Sequence, residues 1–272
     1  MRVTFWGVRG TFPATGAAFA RYGGDTMCIE VEAAGARLIL DAGSGLRALG
    51  AKLNAAPGPV EAHVLLSHLH LDHIMGLPHF APFWRRDARV QIHAPLECVG
   101  DDPHATLFSV LRPPLFPLDA GELPASIGLQ EFKTGARFSP EPGIVVHAFA
   151  LSHQGPCAGL VIEAGGRKLA YVTDHEHGDV DADDRLLGAV EGADLLIYDA
   201  TFTDEEWVAR RGWGHSTWEE GLRLKRRAGV ELLALAHHEP DRCDDALDAL
   251  AEVAASRCEN AFFARQGLSL EV

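Results

Sequence analysis

Ser67-His68-Leu69-His70-Leu71-Asp72-His73 is the stretch on which the reading of this chain turns. It follows directly on His63-Val64-Leu65-Leu66, an apolar run of strand character. Three histidines and one aspartate fall within the six residues 68–73, a high local density of metal-ligand atoms. In extended backbone His68 and His70 project to the same side, because side chains alternate with period two. If the chain then turns into a helix, Asp72 and His73 face a second point a few residues on. One short segment can therefore serve two metal ions, each left incomplete and each in need of ligands from elsewhere.

H-x-H-x-D-H after a strand resembles the signature of the metallo-β-lactamase-fold metallohydrolases. That resemblance implies an α/β (α+β) architecture: a four-layer αββα sandwich of two mixed sheets, with helices outside and the metals at one edge. It also implies further residues in a set order. Leu38-Ile39-Leu40-Asp41-Ala42-Gly43 supplies a strand-end acid, with Asp41 expected to support the site by hydrogen bonding. Leu151-Ser152-His153, Tyr171-Val172-Thr173-Asp174 and Leu235-Ala236-His237-His238 follow in that order. The resemblance thus assigns His68, His70 and His153 to one metal, and Asp72, His73 and His237 to the second, with Asp174 bridging. His237 is preferred to His238 because it comes first after its strand. The resemblance implies two divalent ions; the all-nitrogen and oxygen donor set disfavours sulfur-loving metals and points to zinc first, with manganese or iron open. Two ions so close lower the pKa of a shared water, which makes metal-bound hydroxide the expected nucleophile.

A second pair of motifs narrows the chemistry. Asp199-Ala200-Thr201 ends a strand, and Gly214-His215-Ser216-Thr217 opens a helix. The pair resembles the phosphodiesterase branch of the fold, which includes Z-type transfer-RNA 3′-end ribonucleases, cyclic-phosphate phosphodiesterases and cyclic-nucleotide phosphodiesterases. In that branch a histidine protonates the leaving oxygen and an acid orients it. The resemblance therefore gives His215, Asp199 and Asp72 as catalytic residues. Here Asp199 stands where the ribonucleases have Glu, one methylene shorter. Arg9 and Arg21, in glycine-rich N-terminal turns, and His238 are expected to meet the substrate.

Composition bounds the substrate. The 272 residues carry 38 Asp+Glu against 24 Lys+Arg, a formal charge of −14. Proteins that grip nucleic-acid backbones lean the other way. The expectation is a small cyclic phosphate or cyclic nucleotide, with nucleic acid disfavoured. The alternatives are lactone or thioester hydrolysis on the same fold, or transfer-RNA 3′ processing. The five cysteines include no C-x-x-C pair, so free thiols in a reducing compartment are expected. No apolar run reaches membrane-span length. The chain reads as cytoplasmic, and the resemblance allows a homodimer.

Strands are expected at 3–8, 27–33, 37–41, 63–67, 144–151, 159–164, 168–173, 195–199 and 232–236, and a helix at 44–54. Ser216-Thr217-Trp218-Glu219 reads as a capping box with Ser216 at the N-cap, and a last helix begins near Asp241. Residues 78–142 hold ten of the fifteen prolines. They read as an excursion of loops and short elements from a single domain spanning 1–272.

Overall fold

The computed structural model describes residues 1–272. Fourteen strands run β1 (Arg2–Gly7), β2 (Cys28–Ala33), β3 (Ala36–Leu40), β4 (Glu61–Leu65), β5 (Arg89–Pro95), β6 (Ser126–Phe132), β7 (Arg137–Phe138), β8 (Ile144–Ala150), β9 (Ala158–Ala164), β10 (Arg167–Val172), β11 (Leu195–Asp199), β12 (Leu232–Ala236), β13 (Ala261–Phe263) and β14 (Ser269–Glu271). They form two seven-stranded sheets, ordered β14-β1-β2-β3-β4-β5-β6 and β13-β12-β11-β10-β9-β8-β7. Each sheet is antiparallel in its first part and parallel in its second, from β3 to β6 and from β10 to β13.

Side-chain alternation sorts the core into layers. Val3, Phe5, Ile29, Val31, Leu38 and Leu40 of the first sheet meet Ile144, Val146, Leu160, Ile162, Leu169 and Tyr171 of the second between the sheets. The other face of the first sheet, with Ile39, Val64 and Ile92, packs against Leu46, Leu49 and Leu53 of the helix Leu46–Ala55. On the second sheet, Val172, Leu196 and Leu233 pack under the helices Val180–Val190, Trp218–Ala228 and Asp244–Arg257. Helix, sheet, sheet and helix make the four expected layers.

Two local expectations are corrected. The proline-rich segment is more than an excursion of loops and short elements. It contains β5 and β6, and β5 pairs in parallel with both β4 and β6. Its prolines fall in the connections, and only Pro95, the last residue of β5, lies within a strand. The helix at 218 is capped one residue later than expected. Thr217 is the N-cap and its hydroxyl accepts from Glu220 N. Ser216 instead meets the Tyr198 hydroxyl at 2.9 Å and the His177 ring at 2.9 Å.

The open edge of the sandwich holds a buried histidine. On β5, His93 stacks on Phe138 of β7 and lies 3.1 Å from the His63 ring. Burial, together with the neighbouring His63, lowers its pKa to about 4. The unfolded chain takes up this proton near pH ~6.5 and the folded chain only near 4. Stability therefore falls as pH drops through that window, by roughly 3 kcal/mol from this group. Urea unfolding between pH 4 and 7 is expected to show a shallower pH dependence in His93→Phe. An unchanged slope would assign the acid sensitivity to other groups.

Candidate metal centre

The topology explains why distant residues meet. In register, Leu40 of β3 lies beside Leu65 of β4, Val172 of β10 beside Tyr198 of β11, and Asp199 beside Ala236 of β12. Asp41, the 67–73 segment, Asp174, Asp199 and His237 thus all emerge at the carboxyl ends of parallel strands, where open α/β sheets present ligand crevices. Both sheets bring these ends to one edge of the sandwich.

There the seven expected ligands converge in two adjoining groups. His68, His70, His153 and Asp174 have ligand atoms within 4.8 Å of one another, as do Asp72, His73 and His237. Asp174 stands between them. Its Oδ1 lies 3.9 Å from His68 Nε2 and 3.7 Å from His153 Nε2. Its Oδ2 lies 3.2 Å from both His73 Nε2 and His237 Nε2. A third grouping joins Asp174 with His215 and His237. His238, next in sequence, points away from the cluster, its Nε2 meeting the carbonyl of Ala264.

The imidazoles are held from behind. His73 Nδ1 donates to Asp41 Oδ2 at 2.7 Å. Asp41 is fully buried and also accepts from Ser67 N, Ser67 Oγ and the Tyr171 hydroxyl. His68 Nδ1 meets Ser67 Oγ at 3.0 Å, and His153 Nδ1 donates to the carbonyl of Gly214 at 2.8 Å. His237 Nδ1 donates to Thr201 Oγ1, which donates to Asp199 Oδ1 at 2.8 Å. Such partners fix the tautomer and leave Nε2 with its lone pair facing inward.

This arrangement fits divalent cations. The Nε2 atoms of His68, His73 and His237 are buried and have no hydrogen-bond partner. Buried polar atoms are rarely left so, and three at one point call for a shared ligand. Burial lowers the pKa of His68 and His153 and keeps those rings neutral, the form that binds metal. Burial also opposes charge on His73, but the carboxylates of Asp72, Asp174 and Asp41 outweigh it and raise its pKa. That excess negative field is what a cation would neutralise.

Backbone geometry adds to the case. Asp41, Asp174 and His237 have φ of 58°, 55° and 59°, the left-handed region. Non-glycine residues there cost of order 1 kcal/mol, and such strain gathers at functional sites. Two glycines allow close approach. A Cβ on Gly10 would lie 2.2 Å from the His237 ring, and one on Gly214 would lie 2.4 Å from His153 Nδ1.

His215 flanks the cluster. Its Nδ1 is 3.0 Å from Asp199 Oδ2 and 3.7 Å from Asp174 Oδ1. The shorter aspartate therefore reaches the imidazole. Burial works against its charge, but Asp199, Asp174 and Asp72 prevail and raise its pKa to about 9.

The expected substrate contacts are corrected. Arg9 is wholly buried, and its guanidinium donates to the carbonyls of Gly23, Glu239 and Arg242, tying the N-terminal loop to the segment before the last helix. Arg21 pairs with Asp245 and Asp248 on the last helix. His238 is fully buried, its pKa lowered to about 3 by desolvation. Arg9 and His238 offer a substrate no exposed polar face, and the half-exposed Arg21 side chain is turned to two carboxylates of the last helix. Thr11, which sequence reading passed over, donates its backbone N–H to Asp72 Oδ2 at 2.8 Å. Tyr171 and Thr201 stand in the quoted motifs, and the structure adds their roles as partners of Asp41 and His237. Side chains that support a ligand from behind leave no local spacing signal.

Two face-to-face mixed sheets with a histidine and aspartate cluster at their strand ends define a metal-dependent hydrolase of the metallo-β-lactamase fold. Residues 36–238 match the model of the beta-lactamase superfamily domain, and the chain belongs to that family. It is 29% identical, over a 316-residue alignment, to Ribonuclease Z of Haloferax volcanii, covering all of this chain and 95% of that one. Its fold is similar to a diphosphatase from the PhnP family (TM-score 0.72, 16% identity, covering 100% of this chain and 97% of that one). It is also similar to human tRNase Z, short form (TM-score 0.71, 20% identity, covering 100% and 99%). A ribonuclease related along the whole chain removes the support that acidic charge lent to excluding nucleic acid. No helix is long and apolar enough to cross a membrane.

Proposed function

We propose that the chain is a phosphodiesterase that holds two divalent ions, zinc foremost, and cleaves a small cyclic phosphate or cyclic nucleotide in the cytoplasm. His68, His70 and His153 would hold one ion, Asp72, His73 and His237 the other, and Asp174 both. Divalent ions so placed supply positive charge to phosphoryl oxygens and lower the pKa of bound water. The chain's own residues do the rest. Asp199 fixes His215 through Nδ1, leaving the opposite ring nitrogen to carry a proton to the leaving oxygen. Asp41 and Thr201 keep His73 and His237 in register.

The observation that carries this reading is the His215–Asp199 pair at 3.0 Å beside the cluster. A poor alkoxide leaving group needs such an acid, whereas the thiolate of a thioester departs without one. The small-substrate form has further support in the proline-rich segment. There Arg85 is tied to Asp87 and to the Gly58 carbonyl, and β5 and β6 pack into the first sheet. A second reading, RNA 3′-end cleavage, draws on the whole-length identity to Ribonuclease Z.

A panel separates these readings. Zinc- and manganese-loaded protein is assayed on 2′,3′- and 3′,5′-cyclic nucleotides, a precursor transfer RNA, a lactone and a thioester. Cyclic nucleotides are expected to be the best substrates. Site-specific RNA cleavage without cyclic-nucleotide turnover would favour the second reading. Lactone or thioester turnover alone would sink both.

A further inference from the structure

Three of the chain's exposed large apolar side chains border the cluster. They are Phe12 at 62% exposure, Leu71 at 57% and Trp213 at 59%. Leu71 lies between His70 and Asp72. Phe12 follows Thr11, whose N–H is bonded to Asp72, and Gly10, which lies against the His237 ring. Trp213 precedes Gly214, whose carbonyl accepts from His153 and which a Cβ would drive into that ring. Trp213 also packs edge-on against Phe202, and Phe202 edge-on against His215. Phe12 thus adjoins the cluster through Thr11 and Gly10, next to Asp72 and His237, and Trp213 adjoins it through Gly214 and Phe202, next to His153 and His215; the His215 and His237 rings are themselves stacked at 5.0 Å. Exposed aromatic rings beside the cluster offer apolar surface that a ligand seated there can cover. The proposed general acid lies two residues from Trp213, so the covering group belongs to the substrate.

We infer that Phe12 and Trp213 are specificity-determining residues that stack on a planar aromatic base carried by the phosphodiester, making the substrate a nucleotide rather than a purely aliphatic phosphate ester. This rests on the phosphodiesterase reading and names its substrate class. Base–aromatic stacking is sequence-tolerant and strong enough to set selectivity of tenfold or more. Leu71 supplies an apolar floor without stacking directionality.

The test compares two esters with the same reacting group: adenosine 2′,3′-cyclic phosphate, and 1-O-methylribose 2′,3′-cyclic phosphate, which lacks the base. The native enzyme is expected to prefer the first in kcat/KM by about tenfold or more, mainly through KM. Trp213→Ala and Phe12→Ala are expected to reduce that ratio several-fold each, and Trp213→Phe to keep most of it. A second readout needs no turnover. Adenosine monophosphate is expected to quench tryptophan emission in the native protein and not in Trp213→Leu. Turnover of both esters at a ratio unchanged in the alanine variants, with no Trp213-dependent quenching, overturns the inference and leaves the phosphodiesterase reading standing. Quenching without turnover of either ester keeps the base-stacking site and overturns the phosphodiesterase reading.

Discussion

His215→Ala is expected to lower kcat by roughly 10²–10⁴ on a cyclic nucleotide and far less on bis(p-nitrophenyl) phosphate. The difference follows from the leaving group. A ribose alkoxide is a strong base and must be protonated as it departs, whereas p-nitrophenolate leaves unaided. His215 is the group available for that proton, held through Nδ1 by Asp199 at 3.0 Å. Metal content should be unchanged, because the other seven side chains keep their own partners. Equal losses on both substrates would show that His215 holds the site in shape and does not act as an acid. Asp199→Asn is a useful companion. Its amide can still meet the ring but carries no charge to favour imidazolium, so its loss should follow the same leaving-group dependence in milder form.

Asp174→Asn is expected to have the larger effect on metal. The carboxylate turns one oxygen to His68 and His153 and the other to His73 and His237. An amide offers an oxygen to only one side, and its NH₂ cannot ligate. Asparagine tolerates the left-handed backbone at φ 55°, so the substitution tests charge and bridging with little added strain. Bound metal, measured by elemental analysis after dialysis, should fall from about two ions to one or fewer per chain. The loss should exceed the roughly 10–100-fold drop in affinity that follows removal of a group merely hydrogen-bonded to a ligand. Turnover should fall with occupancy. Retention of two tightly held ions would remove Asp174 from the bridging position.

The parts of this molecule that sequence reading reached share one property: several donors close together or at the ends of apolar strands. The 67–73 segment carries its chemistry in consecutive residues, and Asp41, Asp174 and His237 each follow a strand read within a residue or two of its bounds. What escaped has other causes. β5 alternates Val90, Ile92 and Ala94 outward under the helical layer with Gln91 and His93 inward, but prolines on either side masked it. β6 is an edge strand, largely half-buried, and shows little alternation. Ser216 and Thr217 are both good caps by type, and only the fold reveals that Ser216 is engaged by Tyr198 and His177. Arg9 looked like a phosphate contact because glycines flank it. Those glycines instead let the loop press against His237 and Asp25, with Arg9 buried beneath.

The donors are divided between the sheets, and this has a consequence for how the protein comes to work. His68, His70, Asp72 and His73 follow β4 of the first sheet, while His153, Asp174, His215 and His237 belong to segments of the second. Neither half of the chain owns a reactive centre. A nascent polypeptide that has paired only β1 to β6 carries ligands without chemistry. The cleft is born when the two sheets dock, and ions held there would act as cross-braces that favour the docked state by mass action. Catalytic competence in this architecture is a certificate of completed folding.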